Sequence, residues 1–384
     1  MRLTLCWVLA ASAVCAQDAR MLVLLPGPGA TAESAEELRR SWEPVARAGN
    51  WSIVCPLLPE APDAALEALE ALVPAATGAH LAGFGAAVPQ VFLAANRLPS
   101  LWAGALAIGG DPGAAVNTGR LYAVNGRAVP LVWARPAPGS ERARMRLAKA
   151  GYPLEIREEA SDGELIQWLA AQRFDPHPRS VDCETDSPQL LRCHWIEVAR
   201  IDLAQRNDAL KQTRVQPGSG ATLDLGPFGY DPADAGPGIQ IAWLPEGYRG
   251  ALRLGDRIVA IEGQTLKNAA AYAEYLDERR ESGDVALMIE RAGKRSRVEA
   301  KVVRPPRPAG YTVRVQGEIQ GAGDERELIL VSRGVSVLRI TPPPGWLPLQ
   351  VLWNGDRLEA AGGHACWELD RTGEPRVQPC AVPK

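Results

Sequence analysis

The chain has 384 residues, of which 46% are hydrophobic and 23% charged, and 42 basic against 45 acidic residues leave a net charge of −3. At roughly 100–200 residues per domain the length allows two or three domains, and the apolar fraction excludes a disordered chain. The near-neutral balance gives no long-range field for nucleic acid, and four histidines leave few candidates for a hydrolytic triad or a zinc site.

Met1–Ala16 reads as a secretory signal. Arg2 supplies the positive n-region, Leu3–Val14 the apolar stretch, and Val14-Cys15-Ala16 the cleavage site. The apolar run is shorter than the about 20 residues that span a bilayer. Val14 is too bulky to favour lipidation at Cys15. The expectation is an exported chain, cleaved after Ala16 and periplasmic or secreted, with no integral membrane segment thereafter.

Residues 20–174 alternate short apolar runs with helical stretches. Strands are expected at Met21–Leu25, Trp51–Cys55, His80–Phe84, Gly104–Gly109, Val129–Ala134 and Leu154–Arg157. Between them lie helical stretches at 34–48, Asp63–Pro74, Val88–Asn96, Ser140–Ala150 and Gly163–Gln172, the first opened by a capping box at Ser34-x-x-Glu37. This order implies a mostly parallel sheet covered on both faces, an α/β sandwich. Asp175-Pro176-His177-Pro178 forms a linker, and 180–222 a β-hairpin with its connection. Residues 223–304 form a compact unit of several strands and one helix. A second linker, Arg304–Pro308, precedes an all-β segment at 309–384. The fold class expected is therefore multidomain.

Five cysteines follow the signal. Cys183 and Cys193 flank one turn, and Cys366 and Cys380 another. Cysteines facing each other on paired strands form local disulfides in an oxidising compartment, the alternative being buried free thiols. Cys193-His194 and His364-x-Cys366 lack compact metal-ligand spacing, so neither a metal nor another cofactor is expected. Asn50-Trp51-Ser52 is a glycosylation sequon.

The segment His80–Ala87 leaves a strand and opens a helix, where an α/β-hydrolase keeps its G-x-S-x-G elbow. With Leu22–Gly27, Leu98-Pro99, Gly104–Gly110 and Trp168-Leu169, it makes the first domain resemble that fold, in particular dienelactone-hydrolase and carboxylesterase-like members. The resemblance puts Gly85 in place of the nucleophilic serine. It puts Arg135-Pro136-Ala137 where the acid belongs, and Ser161-Asp162-Gly163 where the base histidine belongs. A triad acts as a unit, so such a domain is expected to be catalytically inactive, retaining at most a binding concavity. The alternative is an active esterase with an unrecognised nucleophile. Ser100 and Ser161 have no histidine near them in sequence, and His80 starts a strand on the wrong side of the elbow.

Gly250-Ala251-Leu252-Arg253-Leu254-Gly255-Asp256-Arg257-Ile258-Val259-Ala260-Ile261-Glu262-Gly263 matches the most specific run of PDZ domains, which the unit resembles along nearly its full length. The resemblance implies that Pro227-Phe228-Gly229-Tyr230 binds a peptide carboxylate through backbone N–H groups. The peptide then adds a strand beside a helix carrying Ala271, Tyr275 and Leu276 on one face. Gly236-Pro237-Gly238-Ile239 is a rival loop, and Pro232 removes a donor from the edge. Implied partners are protein or peptide C-termini, so the functional expectation is an exported PDZ-containing binding or scaffold protein. Use of the fold as a spacer, or as a module beside a separate protease, stays open. Cys193-His194-Trp195 and Cys366-Trp367 share a context, which suggests that 180–200 packs with 309–384 and that the PDZ-like unit interrupts one β domain. Trp346, Trp353 and Trp367 suit core positions better than a carbohydrate platform.

Overall fold

The computed structural model describes residues 20–74, 78–187, 192–218, 220–231, 234–279, 281–304, 310–322, 325–343, 345–360 and 364–381. The signal segment, Pro232 and most of the second linker lie outside these.

The first unit comprises β1 (Arg20–Leu25), α1 (Ala32–Gly49), β2 (Trp51–Val54), α2 (Pro62–Leu72), β3 (Ala79–Phe84), α3 (Val88–Arg97), β4 (Trp102–Ile108), α4 (Gly113–Asn117), β5 (Leu131–Ala134), α5 (Glu141–Lys149), β6 (Glu155–Arg157) and α6 (Asp162–Ala171). Its six strands run parallel in the order β2-β1-β3-β4-β5-β6. Near-continuous apolar strands demand cover on both faces. Val23, Leu25, Leu81 and Trp133 pack on one side with Leu69, Val91 and Phe92 of α2 and α3. Leu22, Leu24, Ala82 and Leu106 pack on the other with Leu165 and Leu169 of α6 and with Trp42 of α1. The N-cap of helix α1 lies three residues before the expected one, Ser34. Thr31 is the N-cap, and Ser34 answers from the N3 position, so Ser34 serves inside the box instead of opening it.

The chain then forms β7 (Ser180–Thr185), β8 (Arg192–Cys193) and β9 (Ile196–Ile201). It next builds a separate sheet from β10 (Thr222–Leu223), β11 (Gly229–Tyr230), β12 (Ile239–Trp243), β13 (Arg257–Ile261), β14 (Gln264–Thr265), β15 (Gly283–Arg291) and β16 (Lys294–Val303), with α7 (Ala269–Glu278) packed on it. The sheet runs β10-β16-β15-β13-β12-β11, with β14 beside β13, so β11 ends the path.

The last strands are β17 (Val313–Gln320), β18 (Glu327–Arg333), β19 (Val335–Ile340), β20 (Leu349–Trp353), β21 (Asp356–Ala360), β22 (Trp367–Asp370) and β23 (Arg376–Pro379). They recruit the earlier three: β7 pairs antiparallel with β17, and β9 with β19. Two five-stranded sheets result, β21-β20-β18-β17-β7 and β23-β22-β19-β9-β8, sharing one core that includes Trp195, Leu330, Leu338, Trp353 and Trp367. The β10–β16 sheet thus interrupts this β unit in sequence.

Cys183 bonds Cys193 and Cys366 bonds Cys380, with Cα separations of 6.0 and 5.4 Å. Cys55 is free. Disulfides of this kind form and persist in oxidising compartments. Among the described residues no helix is long and apolar enough to cross a membrane.

Polar groups set the α/β unit against the β unit. Asn125 exchanges hydrogen bonds with the backbone of Glu184, donating at 2.8 Å and accepting at 2.7 Å. The Glu184 carboxylate, itself fully buried, accepts from the backbone and hydroxyl of Thr213 and from the Thr312 hydroxyl, beside the buried Arg333. Apart from Arg333 Nε, which has no partner among the described residues, the side-chain donors and acceptors of this network are engaged, which makes it tolerable in a core.

Candidate functional site

Two places carry the residues singled out by the sequence. The first is the rim formed by the C-terminal ends of the parallel strands, where ligands of open α/β sheets usually sit. Three glycines leave strand ends here in the left-handed region: Gly27 (φ 99°), Gly85 (φ 51°) and Gly109 (φ 67°). Arg135, after β5, does so without being glycine (φ 48°). A Cβ placed on Gly85 would meet nothing within 4 Å, whereas one on Gly110 would lie 2.1 Å from the Gly85 carbonyl oxygen. The elbow therefore has room for a side chain at its apex and none at its flank.

The residues that the hydrolase resemblance set at the acid and base positions pair with each other. Arg135 Nη2 lies 2.6 Å from Asp162 Oδ1, an ion pair joining the end of β5 to the start of α6. Ser161 is held in the α6 capping box. Its hydroxyl donates to Glu164 at 2.7 Å and accepts the Glu164 N–H at 3.4 Å.

Ser100 lies elsewhere, on the seam with the β unit. Its hydroxyl donates to the Arg192 carbonyl at 3.2 Å and accepts the backbone N–H of His194 at 2.7 Å. Ser100 thus touches a histidine residue through the main chain only. His194 (φ 53°) stacks on Phe174, and burial holds its ring down at about 4. Both residues line a hollow of about 290 Å³ between the units. His80, buried in β3 beside Trp51, is likewise held to about 4, chiefly by burial and further by the charge of Arg20.

The second place is the end of the antiparallel sheet. Gly226 turns the chain at φ 77° against Tyr248, whose hydroxyl donates to the Leu225 carbonyl. The two residues of β11 follow, Gly229 opposite Trp243 and Tyr230 opposite Ile241, with the register shifting between them. A Cβ on Gly229 would stand 3.3 Å from Trp243 Cβ, so the bare glycine keeps the pairing close. Phe228 and Tyr230 are half-buried against the core of this unit. Tyr230 meets Tyr272 of α7 edge-to-face, with centroids 5.3 Å apart. Burial raises the Tyr230 phenol pKa, Arg142 lowers it and Asp277 raises it.

The rival loop is pressed into the fold. Cβ atoms on Gly236 and Gly238 would each lie 1.9 Å from a carbonyl oxygen, of Lys267 and Ile258 respectively. Asp234 accepts from Gly236 N at 2.9 Å and from Arg257 Nη1 at 3.0 Å. Close backbone approach accounts for these glycines.

On α7 the buried face is Ala269, Tyr272, Ala273 and Leu276. Ala271 donates its N–H to the Asn268 cap at 2.9 Å. Tyr275 turns to the Glu262 carboxylate, 3.2 Å away, and to Arg279. Tyr272 is therefore the ring that meets Tyr230, a residue that sequence reasoning missed. The i, i+3, i+4, i+7 spacing of Ala269, Tyr272, Ala273 and Leu276 was the signal for it.

The Gly255-Asp256 turn is anchored by a carboxylate with 1% side-chain exposure. Asp256 accepts from the Arg253 N–H and from Arg291 Nε and Nη2, each at 2.7 Å. Burial pushes its pKa up, and these donors outweigh burial to hold it below the ordinary carboxylate range.

No family model matches the chain, and no curated protein does.

Proposed function

We propose that the protein is an exported peptide-recognition protein. Its 223–304 unit, resembling a PDZ domain, captures the C-terminus of a protein or peptide, and its hydrolase-like α/β unit serves as a non-catalytic scaffold. The observation that carries the reading is β11. It ends the sheet path, follows directly on the Gly226–Phe228 turn, and lies beside α7 through Tyr230 and Tyr272. A strand added at this edge gains main-chain hydrogen bonds, and the loop before it is the place for a terminal carboxylate. Export is supported by the two disulfides and by the signal-like first 16 residues.

The test is fluorescence anisotropy with labelled decapeptides carrying apolar C-terminal residues. Free-carboxylate peptides are expected to bind and their C-terminally amidated twins to bind about tenfold or more weakly, with Phe228→Ala and Tyr230→Ala weakening the former. Equal binding of amidated peptides, or none by either form, overturns the reading.

A further inference from the structure

We propose that Trp243 forms a second subsite, on the outer face of the β11 edge, and that it selects an aromatic side chain at the penultimate position of the ligand. The inference rests on the peptide reading above and extends it to ligand choice.

The two residues of β11 present opposite faces of the sheet. Tyr230, paired with Ile241, packs on the core of its unit. Gly229 therefore presents the outer face, and there it meets Trp243. A Cβ on Gly229 would lie 3.3 Å from Trp243 Cβ, 3.7 Å from its Cε3 and 4.0 Å from its Cγ. The indole thus leans over the bare backbone of β11. The bulge between the two strands accounts for this. Trp243 opposes Gly229 and Ile241 opposes Tyr230, so Ala242 is the extra residue, and a bulge re-aims the side chains beside it. Ile241 is buried, whereas Ala242 and Trp243 are both exposed.

Trp51, Trp102, Trp133, Trp195, Trp353 and Trp367 are buried in cores, while Trp243 is 54% exposed. Among the described residues no second aromatic ring and no cation packs on its indole. A single exposed hydrophobe is ordinary. The place of this one is what matters, because it overhangs the strand that ends the sheet path.

Direction and alternation decide which ligand residue meets the indole. A carboxylate seated in the turn before β11 makes the ligand run antiparallel to that strand. Side chains alternate along the ligand, and directly opposed residues share a face. The last side chain takes the core face, where Tyr230 and Tyr272 offer apolar cover. The penultimate one then stands on the outer face, beside Gly229. Its Cβ comes within about 5 Å of the place a Gly229 Cβ would take, and glycine leaves that gap empty. A methyl group cannot bridge the gap to the indole, whereas an aromatic ring can, and it packs there edge-to-face or offset. An arginine would stack on the same ring with the exposed Asp231 close by in the chain, and the experiment carries it as a separate arm.

The experiment uses the full mature chain and fluorescein-labelled decapeptides ending in a free Val, with Trp, Phe, Arg or Ala as the penultimate residue. The wild type is expected to bind the Trp and Phe peptides about tenfold tighter than the Ala peptide, with Arg between. In Trp243→Thr, which keeps a good strand former, the Trp, Phe and Ala peptides are expected to converge to within about twofold of one another. Trp243→Gln is held to the same expectation, and the thermal transition of each variant checks its folding. Equal binding of the Trp and Ala peptides by the wild type, or tightest binding of the Arg peptide, overturns the aromatic subsite and leaves the peptide reading standing. A preference that persists in a folded variant, or an equal loss for the Trp and Ala peptides, overturns it as well. Failure of every free-carboxylate peptide to bind overturns the peptide reading itself.

Discussion

Replacing Asp256 by Asn tests the physical basis of the Arg-x-Gly-Asp turn. The substitution keeps shape and volume but removes the charge, and presents an NH₂ group where Arg253 or Arg291 donates. Three bonds of 2.7 Å converge on the carboxylate, whose side chain is 1% exposed against 37% for Arg291. A hydrogen bond to a charged group contributes about 1.5–3 kcal/mol, and the exposure of Arg291 discounts its two. The expected cost is about 3 kcal/mol, roughly a hundredfold in the local opening equilibrium. The turn is tied to β12, since Ile241 N donates to the Asp256 carbonyl at 2.7 Å and Gly255 N to that of Ile241 at 2.9 Å. Hydrogen exchange should therefore report the loss in residues 239–261 and leave β17–β20 near wild type. Loss of protection by less than about threefold in 239–261, or an equal loss in both units, refutes the reasoning. Because the Asp256 pKa is depressed in the folded state, its contribution is complete above the unfolded value near 4. It falls away as pH drops through the folded value.

Alkylation of the unreduced, denatured mature protein should label Cys55 and none of the other four cysteines, as mapped by mass spectrometry. Cys366→Ser with Cys380→Ser should then cost about 3 kcal/mol at the β22–β23 hairpin, read by hydrogen exchange. At the elbow, Gly85→Ser should fold with a penalty of about 1–2 kcal/mol from its left-handed backbone. It should give no turnover of short acyl esters; turnover would revive the hydrolase alternative. Gly110→Ala should be far more damaging, because its Cβ collides with backbone, and melting temperatures of the two variants distinguish the cases. His80 and His194 are held near 4, so both rings stay neutral when folded and take up protons on unfolding. Their linkage makes stability highest above pH about 6.5 and lower as pH falls towards 4, which denaturant titrations across that range will show.

Strand–helix alternation made the parallel sheet legible, because strands buried on both faces must be apolar throughout and the connecting helices carry their own period. The expected strand His80–Phe84 is one residue short of β3, and Val88–Asn96 one short of α3. Local cysteine spacing was informative in part. Cys366–Cys380 closes the β22–β23 hairpin. The hairpin expected around Cys183 and Cys193 is not formed, because β7 pairs with β17 and β8 with β9, and that disulfide joins the two sheets. Register on α7 was readable from spacing, yet Tyr275 drew attention as an aromatic while Tyr272 occupied the buried face. The short helix α4 left no comparable periodic trace.

The sequence by itself determined what depends on neighbours in the chain: the α/β order, the turns and their glycines, the pairing of cysteines close in sequence, and a strand-to-helix turn whose apex is Gly85. Tertiary structure alone decided the rest. It paired Arg135 with Asp162, gave the Ser100 hydroxyl to the main chain of His194 and Arg192, and set α5 against α7. These contacts join residues 27 to 131 positions apart. Hydrophobic period and turn chemistry act over one element, whereas ion pairs and buried hydrogen bonds are fixed by whichever surfaces the packed units bring together.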